Sequence, residues 1–149
     1  MTETAIETAA PEGAVLTVLT YLNDGQTDEA VAGFAEGFRF QDYGLGLEFK
    51  DKDRLSEFFR KTRELYPDGF LEPDTIFVSG DQLAMKWTLR TTVTESFYGG
   101  LSRRVQVSVR GASIVRSENG KITDWADYYD GVSSRRTALA AHFEEWVEL

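Results

Sequence analysis

Residues 105–130 have the sequence VQVSVRGASIVRSENGKITDWADYYD, and this stretch decides the fold. Its first part places Val105, Val107 and Val109 in alternation with polar residues, a period of two that is typical of a strand with one covered face. The segment SENGK at 117–121 then carries the asparagine and glycine that are typical of a tight turn. The stretch therefore predicts two strands joined by a short turn.

The alternating pattern extends further upstream. Turn signals at 79–82 (SGDQ) and 97–100 (FYGG) divide this region into additional strands. Together with the turn at 117–121, they predict a four-strand antiparallel meander over residues 74–130. Gly111 interrupts one long strand and predicts a β-bulge that bends it.

The first half of the chain is predicted to be mainly helical. Apolar residues at helical spacing, with acidic or hydroxyl residues at the segment starts, indicate three helices before the meander and one after it. Thr27 is the predicted N-cap of the second helix, and Asp51 or Asp53 is the predicted N-cap of the third. The predicted helices cover residues 12–25, 27–38, 51–66 and the segment from Ser133 or Ser134 onward, and a short strand covers residues 38–43.

This order of elements predicts an α+β fold, because helices that are segregated from an antiparallel sheet define that class. A strongly bent sheet wrapped around the three N-terminal helices would form a cone-shaped barrel, to which the C-terminal helix is an addition. The open end of such a cone is a natural place for an apolar pocket. With 149 residues, the chain has the length of one domain, predicted over residues 12–149 after a flexible acidic tail at 1–11.

The composition excludes several classes of function. The net charge of −9, without any lysine- or arginine-rich run, argues against a nucleic-acid partner. The chain has no cysteine, which excludes disulfides and a cysteine nucleophile, and its single histidine, His142, cannot build a multi-histidine metal site. The apolar runs are too short to cross a bilayer and the start lacks the features of a signal peptide, so a cytoplasmic protein without membrane contact is expected.

The segment DWADYYD near the end of the chain is the main candidate for a functional site. Trp125, Asp127 and Tyr129 share one face of the predicted strand, because side chains two apart point the same way. If that face is concave, burial raises the pKa of Asp127 toward the range useful for proton transfer at neutral pH; if it is convex, Asp127 is a solvated acid. Asp130 has the opposite parity and is expected to cap the last helix or to pair with Arg135.

Asp42 is the second candidate acid. It ends the short strand in phase with two phenylalanines, so its carboxyl either points into an apolar region or bonds the amides of the following turn. Tyr43 beside it, like Tyr98 and Tyr129, either donates a hydrogen bond to a substrate oxygen or satisfies a backbone carbonyl while it fills volume.

The strand KWTLRTT at 86–92 has one polar and one apolar face. An inward Arg90 would pair with Asp127 and lower the pKa of its carboxyl, whereas an outward Arg90 is a solvated charge. If the apolar side chains Trp87 and Leu89 point outward, they form an exposed apolar patch on the outer sheet face of a monomer. A homodimer that covers this face is therefore predicted.

Four segments together resemble the SnoaL-like branch of the nuclear transport factor 2-like superfamily. They are YLNDGQTDEAVAGFAEGFRFQDYG (21–44), DRLSEFFRKTRELYPD (53–68), GDQLAMKWTLRTT (80–92) and NGKITDWADYYD (119–130). The resemblance extends from about residue 12 to residue 143 and implies a cone of helices and a curved antiparallel sheet. It leaves the activity open, because this scaffold hosts polyketide cyclases, ketosteroid isomerases, limonene-type epoxide hydrolases, dehydratases and binding proteins without activity.

Ketosteroid isomerases are similar in the first half of the chain. Their helix end, a later phenylalanine and the aspartate that acts as general base are matched by Leu22, Asn23, Gly25, Phe34 and Asp42. Their oxyanion tyrosine falls where this chain has Val18, and Tyr21 lies about one helical turn further along. The resemblance therefore implies a general base at Asp42 but not the standard isomerase site.

Limonene-type epoxide hydrolases are similar in the second half. Arg90 matches the arginine of their water-activating triad and Asp127 matches its later acid. Thr92 stands where the triad has its other aspartate, and a threonine cannot act as a carboxylate base. The resemblance therefore does not imply the same epoxide-opening mechanism.

SnoaL-like cyclases need only an apolar cavity, one acid/base on the late strand and polar groups that steady an enolate. The resemblance thus implies a small enzyme, without metal or organic cofactor, that performs acid/base chemistry next to a carbonyl of an apolar polyketide- or steroid-like metabolite by cyclisation, isomerisation or dehydration. The alternatives are an epoxide hydrolase with an incomplete triad and a binding module without catalysis. The predicted catalytic residues are Asp127, Asp42 and Arg90, and the predicted substrate contacts are Tyr129, Trp125, Tyr43, Thr92 and Trp87.

Overall fold

Six strands form one curved sheet in the computed structural model, which describes residues 10–97 and 101–130. Helices cover one face of this sheet, and the predicted α+β class is confirmed. The elements, in chain order, are α1 (Pro11–Asn23), α2 (Thr27–Ala32), β1 (Phe34–Asp42), β2 (Leu47–Phe49), α3 (Lys52–Leu65), β3 (Phe70–Ser79), β4 (Gln82–Phe97), β5 (Leu101–Glu118) and β6 (Lys121–Tyr129).

The order of the strands across the sheet is β2-β1-β6-β5-β4-β3. Strands β3 to β6 pair antiparallel in sequence order, which confirms the predicted meander. Strand β1 joins this meander as the parallel neighbour of β6. The two segments that carry the candidate acids, far apart along the chain, therefore lie side by side.

The turn between β5 and β6 is the one that the sequence predicts. Asn119 and Gly120 connect the two strands and have φ angles of 53° and 78°. Two consecutive positive φ angles define the type I′ turn, whose twist matches that of a two-residue hairpin, and Asn-Gly is its preferred sequence.

The second predicted helix is too long. α2 ends at Ala32, and the following residues form β1 instead of a continued helix. The prediction took Ala30, Val31 and Phe34 as one inward helix face, but Phe34 is already the first residue of β1. Gly37, with a φ of 76°, lies where the pairing of β1 with β6 shifts, and both rings point into the core. The short strand β2 was not predicted.

The predicted bulge at Gly111 is wrong. The pairing of β4 with β5 runs without a shift through Trp87 and Gly111, and the irregularity in the pairing of β5 with β6 lies after Arg116. The glycine is explained by close approach: a Cβ atom at position 111 would lie 2.4 Å from the ring of Trp87. A side chain at this position would therefore displace the indole.

Aromatic side chains fill the space between the helices and the sheet. Phe34 and Phe40 contact the Trp125 ring of β6 at centroid distances of 6.1 and 6.3 Å, and Phe40 meets Phe59 of α3 edge to face at 5.5 Å. All four side chains are buried. The helix that supplies Phe59 starts as predicted, since the carboxylate of Asp51 accepts hydrogen bonds from two backbone N–H groups of its first turn.

The outer face of the sheet differs from the one predicted. Trp87 and Leu89 face the core, and only 3% of Trp87 is exposed. The expectation that these two side chains form an exposed apolar patch on the outer sheet face is therefore wrong. The exposed apolar side chains Phe77 and Ile114 lie instead in one cross-strand row of the outer face. The homodimer through this face stays a prediction.

Several expectations fall on residues outside the described ranges. These are Tyr98, His142, the C-terminal helix from Ser133 or Ser134, and most of the N-terminal tail. Pro11, the last residue of the predicted tail, is buried and opens α1. No helix within residues 10–97 and 101–130 is long and apolar enough to cross a membrane.

Arg63 connects two helices, and its removal gives a test of this packing. Its guanidinium donates hydrogen bonds to the carbonyl oxygens of Leu22 and Asn23, at the end of α1, at 2.6 and 2.9 Å, and to that of Pro67. Arg63→Ala leaves these carbonyls without a charged donor, so we expect the free energy of unfolding to fall by about 1–3 kcal/mol in urea titrations. Arg60→Ala, on the exposed side of the same helix, is the control; equal losses in both variants would contradict this role.

Candidate functional site

The two candidate acids are direct neighbours. Asp42, the last residue of β1, pairs in register with Asp127 of the parallel strand β6. Neighbouring strands lie about 4.8 Å apart, so both carboxyl groups occupy one small region of the covered sheet face. Asp42 is buried and Asp127 is partly buried. The structure therefore brings the two candidate acids together.

Asp127 is held by two donors that contact the same oxygen. Its Oδ1 accepts hydrogen bonds from the hydroxyl of Ser113 at 2.5 Å and from the indole N–H of Trp125 at 2.7 Å. Burial raises the pKa of Asp127 to about 6, against the lowering effect of these two bonds and with a further increase from the charge of Asp42. The acid thus titrates close to neutral pH, as the sequence predicts for a concave face.

Asp42 has both carboxyl oxygens engaged. Oδ1 accepts a hydrogen bond from the backbone N–H of Leu45 at 2.8 Å, and Oδ2 accepts one from the hydroxyl of Tyr129 at 3.0 Å. Both predicted environments of Asp42 therefore occur together, since the carboxyl is buried beside the aromatic core and also bonds an amide of the following turn.

The ring of Tyr129 packs against the backbone of Gly44, where a Cβ atom would lie 2.2 Å from the ring. It also contacts the ring of Trp87 at a centroid distance of 5.9 Å. Burial, the hydrogen bond to Asp42 and the nearby acidic charges raise the pKa of Tyr129 well above its usual value, so the phenol stays neutral. Its single hydroxyl proton is directed at Asp42.

Ser113 is a residue of the site that was not predicted from the sequence. This serine lies on the covered face of β5, directly opposite Asp127 in the β5–β6 ladder, and it is fully buried. Its hydroxyl accepts a hydrogen bond from the indole N–H of Trp87 at 2.8 Å and donates one to Asp127. The available signal was a hydroxyl residue in phase with Val109 and Val115 on the apolar face of a strand.

Arg90 does not contact the acid pair. Because Trp87 points inward, Arg90 lies on the outer face, where it pairs with Glu72 at 3.1 Å and its side chain is 59% exposed. The expectation that an inward Arg90 pairs with Asp127 is therefore wrong. Nothing of the arginine-containing triad of epoxide hydrolases forms around Asp127 in the described part of the chain.

Two of the predicted substrate contacts also lie elsewhere. Thr92 donates its backbone N–H and its hydroxyl to Asp68, and these bonds lower the pKa of that exposed acid to about 2. Tyr43 is half exposed and stacks on Tyr128 at a centroid distance of 4.8 Å, on the face opposite Asp127. Asp130 is exposed, and its expected partner Arg135 lies outside the described residues.

Open depressions of about 500 and about 300 Å³ occur in the described part of the chain, and Asp42 and Asp127 line neither of these. The apolar pocket expected at the acids stays a prediction. Leu45, whose backbone N–H bonds Asp42, is an exposed apolar residue beside the pair. Residues 10–97 and 101–130 contain no group of three or more side chains placed to hold a metal ion.

Comparisons with known proteins agree with this architecture. A family model described as a SnoaL-like domain matches residues 15–125. No curated protein sequence matches the chain.

The chain is similar in fold to several solved structures. A proposed SnoaL-like polyketide cyclase from Shewanella denitrificans is 11% identical, with a TM-score of 0.74 over 87% of this chain and 97% of that one. A protein from Catenulispora acidiphila with a ketosteroid isomerase-like fold, solved with trimethylamine, is 16% identical, with a TM-score of 0.71 over 87% and 95%. AclR of Streptomyces galilaeus, a proposed hydroxylase, is 17% identical, with a TM-score of 0.68 over 93% and 82%.

The raised pKa of Asp127 makes stability depend on pH. The folded protein binds one more proton than the unfolded chain between about pH 4 and pH 6, so this acid lowers the free energy of unfolding as the pH rises through that range. Asp127→Asn removes the buried charge and keeps an oxygen for both donors. We expect it to raise the free energy of unfolding at pH 7 by about 1–3 kcal/mol and to have little effect below about pH 4.

Urea unfolding at both pH values measures this difference. Asp124→Asn is the matched control, because Asp124 is an exposed acid of the same strand. A loss of stability in Asp127→Asn that is the same at both pH values would show that the carboxyl is not destabilised by burial.

Proposed function

This chain belongs to the SnoaL-like domain family, and on that basis we propose that it is an enzyme that moves a proton next to a carbonyl group of an apolar metabolite. The observation that carries the proposal is the partly buried carboxyl of Asp127, which has a raised pKa and one oxygen without a described hydrogen bond. A general acid or base works best when its pKa is close to the working pH.

The two acids have different roles in this proposal. Asp127 carries the proton, because its Oδ2 is available and its pKa is about 6. Asp42 does not transfer the proton, because both of its oxygens already accept hydrogen bonds. Its negative charge raises the pKa of Asp127 and of Tyr129.

The substrate class follows from the surroundings of the pair. The ring of Tyr129 and the exposed side chain of Leu45, whose backbone N–H bonds Asp42, favour an apolar molecule. Arg90 and Thr92 bind other carboxylates away from the acid pair, so they do not serve as donors to an enolate. Tyr129 lies beside the pair, and its hydroxyl proton would have to turn from Asp42 to the substrate oxygen. Cyclisation, isomerisation and dehydration all start with proton transfer beside a carbonyl, and two of the similar structures are named for such chemistry or for that fold.

A binding module without catalysis is the second candidate function. It is favoured by the aromatic packing beside the acids and by the position of both described depressions away from them. An epoxide hydrolase of the limonene type has less support, since Arg90 is on the outer face. The small-molecule partner and the cytoplasmic location expected from the sequence stay predictions.

Proton exchange in deuterated water tests the proposal without knowledge of the final product. Apolar aromatic β-keto esters and a β,γ-unsaturated 3-ketosteroid serve as probes, and proton NMR follows the loss of the hydrogens next to the carbonyl. We expect the wild-type protein to accelerate exchange of at least one probe. Asp127→Asn should reduce this acceleration about 100- to 10,000-fold, the usual contribution of a general acid or base.

Two further variants sharpen the result. Asp42→Asn should reduce exchange less than Asp127→Asn, because it changes the electrostatic environment of the proton carrier and leaves the carrier in place. Asp124→Asn should not change it. Undiminished exchange in Asp127→Asn would refute the assignment, and binding of a probe without any acceleration would favour the binding module.

A further inference from the structure

A buried chain of hydrogen bonds leads to Asp127 from the middle of the sheet. The indole N–H of Trp87 contacts the hydroxyl oxygen of Ser113 at 2.8 Å, and the same oxygen lies 2.5 Å from Oδ1 of Asp127. Ser113 is fully buried and Trp87 is 3% exposed, so water does not compete for these bonds. Hydrogen bonds are stronger in the protein interior than in water, so a buried chain of them has a fixed geometry and strongly affects the groups that it joins.

The chemistry of the three groups fixes the direction of the bonds. An indole N–H can only donate, and a serine hydroxyl has one proton to give. Trp87 therefore occupies an acceptor position of the Ser113 oxygen, and the hydroxyl proton is directed at Asp127. In this arrangement Ser113 is a donor to the carboxylate.

Oδ1 of Asp127 also receives the N–H of Trp125 at 2.7 Å. The two donors use both lone pairs of this oxygen, and none of the hydrogen bonds in the described part of the chain involves Oδ2. While both donors stay in place, a proton that binds to Asp127 binds to Oδ2. The backbone supports this arrangement, because Ser113 lies opposite Asp127 in the ladder and Gly111 leaves room for the Trp87 ring.

We propose that Ser113, oriented by the indole of Trp87, is a positioning residue that confines proton transfer by Asp127 to Oδ2. The inference rests on the proposed function, in which Asp127 carries the proton. It adds which atom reacts and which buried residues select that atom. The substrate proton is then transferred on the side of the carboxyl that faces away from the two donors.

The same bonds adjust the proton affinity of Asp127. Donors to Oδ1 stabilise the charged form and oppose the effect of burial. The titratable groups that act on Asp127 are Asp42, whose charge favours the protonated form, and the neutral phenol of Tyr129 beside it. The hydroxyl of Ser113 and the two indoles do not titrate in the range of interest, so changes at these residues report on hydrogen bonding alone.

Carbon-13 NMR titration of the aspartate carboxyls in the intact chain tests the inference. Ser113→Ala removes one donor, and we expect the pKa of Asp127 to rise by about one unit, which corresponds to the loss of one hydrogen bond to a charged group. Ser113→Thr keeps the hydroxyl and should restore a value close to that of the wild-type protein. Ser117→Ala is the matched control, because Ser117 is a buried serine of the same strand face whose hydroxyl has no hydrogen-bond partner within residues 10–97 and 101–130.

Trp87→Phe provides a second route to the same test if Ser113→Ala does not fold. A smaller aromatic ring replaces the indole, and the hydroxyl of Ser113 loses the donor that orients it. We expect a smaller upward shift in the pKa of Asp127 than in Ser113→Ala. In the wild-type protein, the indole N–H resonance of Trp125 should follow the Asp127 titration, since it bonds Oδ1 in the charged form.

The inference and the proposed function fail separately. The titration needs no substrate, so an unchanged pKa of Asp127 in both Ser113→Ala and Trp87→Phe would overturn the role of Ser113 even if Asp127→Asn abolishes proton exchange. Conversely, shifted titrations together with undiminished exchange in Asp127→Asn would refute the proposed function. Where a probe is turned over, the pH profile of exchange in Ser113→Ala should move upward with the carboxyl titration.

Discussion

The parallel pairing of β1 with β6 is the constraint on which the site depends. It brings Asp42 next to Asp127, and two carboxyl groups that share one covered face repel each other and lose their hydration. The fold can hold them there only if protein donors replace water. Four donors do so, namely the N–H of Leu45, the phenol of Tyr129, the hydroxyl of Ser113 and the indole of Trp125.

Glycines allow those donors to reach the acids. The ring of Tyr129 packs over Gly44 and that of Trp87 over Gly111, and a Cβ atom at either position would lie within 2.4 Å of the ring. Neither glycine has a positive φ, so their role is to provide space and not an unusual backbone conformation. The aromatic rings gain contacts with the backbone, and their polar atoms reach Asp42 and Ser113. The same two glycines therefore determine both the packing of the rings and the hydrogen bonds that reach the acids.

The sequence predicted the meander, the turn at Asn119 and the strand face that Asp127 shares with Trp125 and Tyr129. These features depend on residues that are close together along the chain. The prediction failed where the answer depends on which face of β4 is covered. Alternation alone places Trp87 and Arg90 on opposite faces but cannot say which face meets the helices, and the outward assignment of Trp87 was wrong. The role of Ser113 was also beyond the sequence, because it depends on a partner 14 residues away across a ladder. Long-range register is a property of the whole sheet.

The energetics of Asp127 favour a functional explanation over a structural one. An acid whose pKa is raised to about 6 lowers the stability of the folded chain at neutral pH. The two donors on Oδ1 would be satisfied equally well by an asparagine, which carries no charge to bury. Nothing in the packing of the described residues therefore requires a carboxyl at this position. What a carboxyl supplies and an amide does not is a proton that can leave and return near neutral pH, from the oxygen that the donors leave free.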